Sequence, residues 1–168
     1  RDRFQVLFCR GMLAAEEGQM EEALRNLRKA HGLIPRDGVL ADDFFPALRE
    51  AGLVELHDEL FEKSAELLRE NIRFFSRDHN AKNTFGWLAS RANRCLDEAE
   101  GYLKMSLEVR PLSEAYLDTM AEIYFAKGNR KKAVEWSDRA ANRNSSDFQL
   151  RQQNLSLIHI SEPTRQSP

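Results

Sequence analysis

Val54, Phe61, Leu68 and Phe75 recur every seven residues, with Leu60, Leu67 and Phe74 beside them. Apolar positions at that spacing, separated by charged ones, form a stripe along one side of a helix. The pattern predicts one uninterrupted amphipathic helix over residues 54–75. Elsewhere the apolar stripes are shorter, and Gly and Pro fall between the helical stretches rather than inside them.

The stripes repeat. Gly18 and Gly52 lie 34 residues apart, as do Ala99 and Ala133. A first series runs Gly11, Gly18, Ala23, Leu27, Ala30 and Pro35. A second runs Ala121, Gly128, Ala133, Ser137, Ala140 and Ser145, with the same internal offsets 110 residues further on. A fixed period of small residues, turn glycines and prolines marks stacked helix pairs, none of which can bury its apolar stripe alone. Small residues let paired helices approach, and bulky ones such as Tyr124 and Leu27 fill the grooves between. Gly18, Gly52 and Gly128 suit left-handed turns. Pro35 and Pro111 mark helix exits.

These offsets resemble the tetratricopeptide (TPR) signature, with a small residue at position 8, Gly near 15, Ala at 20 and 27 and Pro at 32. The resemblance divides the chain into repeats at about 4–37, 38–78, 79–112 and 114–147. The last matches best, through Leu117, Met120, Ala121, Tyr124, Gly128, Ala133 and Ala140. In the first, Arg10 and Ala14 depart from the pattern. In the third, Gly86 is taken as the small residue, which leaves one extra residue at Asn93-Arg94-Cys95; the other register would press Trp87 into a helix contact that it cannot fit. The second keeps Gly52 but has His57, Phe61 and Ser64 where Ala, an aromatic and Ala are usual. Ala99 follows His57 by 42 residues, about two helical turns beyond the period, which the long helix from Val54 absorbs. The implied fold is all-α, an α-solenoid of about four repeats wound as a right-handed superhelix.

Composition narrows the function. A net charge of −2 over 168 residues gives no electrostatic reason to expect nucleic acid or an anionic membrane. No apolar run approaches the roughly 18 residues needed to span a bilayer. Cys9 and Cys95 stand far apart, and His31, His57, His79 and His159 join no metal-ligand spacing. No phosphate-binding glycine loop or nucleophile elbow is present. Arg130-Lys131-Lys132 opens a helix without interleaved aromatics, and Asn144-Ser145-Ser146 matches a glycosylation sequon. The expectation is a protein without catalytic residues, metal or cofactor; its compartment stays open.

Both ends read as foreign to a natural domain. The chain starts at Arg1 inside a helical pattern. The stretch from Leu155 to Arg165 matches an in-frame translation of a transposase sequencing adapter, so residues 155–168 are set apart from 1–154 as an adapter-derived tail. A fragment is therefore expected, and the repeat resemblance is to the bacterial type. Ser146 or Asp147 could N-cap a further helix.

The resemblance implies a protein-interaction scaffold, with a peptide or partner domain lying in a concave groove. Its first-helix positions 2, 5, 9 and 12 fall on Gln5, Phe8, Met12 and Ala15, then on Asn80, Asn83, Trp87 and Ser90, then on Ala115, Asp118, Glu122 and Phe125. That mixture suits a ligand with apolar anchors and some positive charge; ordinary core packing is the alternative for Phe8, Met12 and Trp87. Two other readings stand beside it: a structural arm of a larger enzyme or secretion protein, and self-association through the long helix or exposed repeat ends.

Overall fold

The computed structural model describes residues 2–141. Ser145, the sequon, the Ser146/Asp147 cap and the 155–168 tail lie outside the described residues. Within them the chain is all helical: α1 (Asp2–Glu16), α2 (Met20–Leu33), a π-helical turn (Leu40–Phe44) running into α3 (Phe45–Glu50), α4 (Val54–Phe74), α5 (His79–Ala92), α6 (Leu96–Val109), α7 (Glu114–Ala126) and α8 (Arg130–Ala141).

The helices pack as consecutive antiparallel pairs, and neighbouring pairs lie against each other, chiefly through α5 and α6 on α7 and α4 on α5. Among the described residues the first hairpin makes no substantial contact with α5 to α8. Contacts limited to near neighbours define an α-solenoid of helical repeats.

Each helix pair turns on one backbone device. After α1, Gln19 N–H reaches Ala14 O at 2.8 Å and Gly18 N–H reaches Ala15 O at 3.1 Å, with Gly18 at φ 75°. These two bonds satisfy carbonyls that the helix end leaves open, and the left-handed residue between them costs glycine nothing. The same pair of bonds recurs around Gly52, Gly128 and Asn93. Asn93 carries φ 54° in the glycine's place, a conformation that asparagine tolerates. From Gly86 to Asn93 is seven residues, as from Gly11 to Gly18. The extra residue of the third pair therefore follows Asn93, and Cys95 takes it up with a second left-handed φ of 52°.

Close approach is visible at two glycines. A Cβ on Gly11 would meet Leu27 Cγ at 2.6 Å, and one on Gly86 would overlap Leu103 Cδ2 while pressing Thr119 Cγ2 at 3.0 Å. Ala23, Ala30, Ala99, Ala121, Ala133 and Ala140 are all fully buried where helices touch.

The second pair is built differently. Seven residues before Gly52 stands Phe45, where the other pairs have Gly11, Gly86 and Ala121. Opposite it on α4 is His57 instead of Ala, and the two rings meet edge to face at 5.3 Å. Phe45 also meets Phe44 at 5.6 Å and Phe61 at 6.1 Å. Phe4 and Phe8 stack at 5.9 Å and reach the same cluster through Phe44. An aromatic core thus replaces close backbone contact here, and α3 is short and led in by the π-turn.

Helix α4 runs over the expected length, but its heptad stripe is only partly buried. His57, Leu60, Phe61, Ser64, Ala65, Leu68 and Ile72 face inward, whereas Val54, Phe74 and Phe75 are 51%, 71% and 64% exposed. A straight helix drifts about 20° per heptad against a strict seven-residue repeat. Over three heptads the ends of the stripe rotate out of the contact while its middle stays in.

Candidate interaction surface

The first helices of successive pairs bring their side chains onto a common face. Trp87 of α5 lies half-buried, and its indole Nε1–H donates to Asp42 Oδ1 at 3.0 Å in the π-turn. One turn on, the Arg91 guanidinium covers the Trp87 ring, 4.6 Å from its centroid. Arg91 Nη1 then pairs with Glu122 Oε2 of α7 at 3.3 Å. Arg49 of α3 donates to the Arg91 carbonyl at 3.5 Å. Asp42, Trp87, Arg91 and Glu122 thereby form a continuous run across three pairs.

The positions drawn from the repeat resemblance distribute unevenly around this run. Trp87 and Glu122 belong to it; Glu122 is buried, and its carboxylate meets Arg91. Asn83 precedes Trp87 by one turn on α5, and its Oδ1 is enclosed with no hydrogen-bonding partner among the described residues. Asp118 and Phe125, on α7 with Glu122, are half-buried. Gln5 is exposed and Met12 half-buried on α1, within the first hairpin and away from α5. Phe8 is not on an open face: it is 8% exposed, packed between Phe4 and Phe44. Its place is in the aromatic core, because the neighbouring π-turn brings Phe44 against it. Asp42 and Arg91 were missed by sequence reasoning. Asp42 comes from a turn outside the repeat pattern, and Arg91 lies one residue past the expected Ser90, which is buried.

Ion pairs join α2 to α4, α4 to α6, and α6 to the end of α7. Arg69 of α4 donates to both carboxylate oxygens of Glu98 and to Glu62, and lies 5.4 Å over the Phe85 ring. Hydrogen bonds from Arg69 hold the Glu98 carboxyl below its ordinary range. Arg28 of α2 forks onto Glu59 of α4, joined by Lys63, and these bonds lower Glu59 to about 2. Partial burial pushes Glu100 upward, but bonds from Lys104, Lys127 and Tyr124 outweigh it and bring it to about 2. These contacts fix helix against helix.

Two histidines are buried, His31 on α2 and His57 on α4. His31 Nε2 lies 2.8 Å from Ser64 Oγ, and burial drives its pKa down to about 4. His57 is lowered by burial, against the pull of the Asp58 carboxylate 2.8 Å from Nδ1; its Nε2 is enclosed without a partner among the described residues. Among the described residues no group of three or more His, Cys, Asp or Glu side chains could hold a metal ion, both cysteines are free, and no helix is long and apolar enough to cross a membrane.

No protein-family model matches the chain, and no curated protein matches it. Among solved structures, a mutant of MamA aligns with 95% of this chain and 84% of that one, at 15% identity and a TM-score of 0.44. At that similarity the match carries no argument about function, and the solenoid rests on the chain's own packing.

Proposed function

We propose that the chain is a protein-interaction scaffold that holds a peptide or a partner domain along the face of its first helices. The observation that supports this reading is the run Asp42–Trp87–Arg91–Glu122. It lays an aromatic face and charged groups from three successive helix pairs along one side. A surface of rigid aromatics bordered by polar groups is what peptide recognition commonly uses. Asn83, Asp118 and Phe125 lie beside it on α5 and α7. The decisive experiment is capture of a partner by the chain and by its Asp118→Lys/Phe125→Ala variant, both checked for helicity by circular dichroism. Loss of the partner in the folded variant supports the surface; equal capture by both forms removes it.

A second reading, self-association, is favoured by Phe74 and Phe75, which end α4 at 71% and 64% exposure. Adjacent exposed aromatics are uncommon on a monomer surface. Sedimentation across a concentration series separates the two readings, since a strict monomer that still captures a partner leaves only the first.

A further inference from the structure

The site around Trp87 already holds a guanidinium, and it is the chain's own. Arg91 lies over the indole at 4.6 Å and meets Glu122 at 3.3 Å. An aromatic face with a carboxylate at its edge is a general recognition pair for such a cation. The two halves of the pair are better held than the cation between them. The indole is oriented by its bond to Asp42, and the Glu122 side chain is 9% exposed, whereas that of Arg91 is 39% exposed. Arg91 is the exposed member of the pair, so another guanidinium can reach its place, and the buried Glu122 carboxylate needs a cation beside it throughout.

Charge points the same way. Asp42 accepts from the indole N–H, and Glu122 pairs with the guanidinium that covers the ring. With Arg91 swung aside, the indole and its two carboxylates favour a cation of matching shape.

Resting on the scaffold reading above, we infer that the partner presents an arginine side chain to this site, and that Arg91 is an internal competitor which the partner's arginine displaces from Trp87 and Glu122. Arg91 thereby sets the affinity: a ligand without a guanidinium cannot replace what it removes.

The test uses the full chain and fluorescent hexapeptide mixtures in which one position is fixed as Arg, citrulline or Glu and the rest are randomised. Binding is followed by anisotropy, and folding of each variant by circular dichroism. The Arg-fixed mixture is expected to bind in preference to the citrulline-fixed one. Arg91→Ala is expected to tighten that binding by roughly three- to tenfold, the range of a cation–π contact no longer competing. Glu122→Gln is expected to weaken it. Unchanged or weaker binding in a folded Arg91→Ala variant overturns the inference, as does equal binding of citrulline. Binding without arginine preference that Asp118→Lys abolishes leaves the scaffold reading standing and removes this inference alone. If no mixture binds any folded form, peptide binding at this face falls and the inference with it.

Discussion

His31 and Ser64 join two successive second helices through a bond of 2.8 Å from imidazole Nε2 to hydroxyl, in a position closed to solvent. The imidazole is neutral there, because burial among Phe44, Phe45 and the α4 backbone penalises its charged form.

This burial makes the fold sensitive to mild acid. The His31 pKa is about 4 in the folded chain and about 6.5 when unfolded. Between those values the unfolded state binds more protons, so stability is complete above about pH 6.5 and falls as pH drops toward 4. His57, also lowered, acts in the same direction. Urea unfolding is expected to show about 2 kcal/mol less stability at pH 5 than at pH 7 from His31 alone. The depressed carboxylates Glu59, Glu98 and Glu100 take effect only below their unfolded values near pH 4.5. A His31→Gln variant with an undiminished loss between pH 7 and pH 5 would refute the assignment.

Two helix glycines are expected to respond to alanine with opposite signs. At Gly86 the added methyl meets Leu103 and Thr119, and Gly86→Ala should cost about 1–3 kcal/mol by overpacking. At Gly101 in α6 no atom lies within 4 Å of the new Cβ. Gly101→Ala should therefore stabilise by about 0.5–1 kcal/mol through helix propensity. Thermal melting of the two variants gives both signs directly.

Ala133 is fully buried where α8 meets its neighbours. Ala133→Leu should destabilise by about 1–3 kcal/mol. An unchanged melting temperature would show that the helix register is wrong.

Arg69 supports α4 against α6 by shape as well as charge. Its forked bonds to Glu98 and its stacking over Phe85 need a planar guanidinium. Arg69→Lys is expected to cost about 1 kcal/mol, with its partly exposed setting limiting the loss. Denaturation in low and high salt checks this: the stacking part should persist when the charge part is screened.

The solenoid is legible in the sequence because its determinants are local. A turn glycine after three of the first helices, a small residue seven positions before most of these turns and an apolar stripe at helical spacing act within one hairpin, so Gly11, Gly18, Gly86, Gly128 and Ala133 could be read in order along the chain. The length of α4 was legible for the same reason. How unlike neighbours meet is set by packing between helices, which no local pattern encodes. The Phe45–His57 contact replaces a small–small one, the ends of the α4 stripe drift out of contact, and Phe8 turns inward once Phe44 is beside it. Trp87 finds Asp42 from 45 residues away, and Arg91 finds Glu122 on the next helix pair. Periodicity ranks positions within a helix; which side chains meet across helices depends on crossing and stagger, which the packed core alone sets.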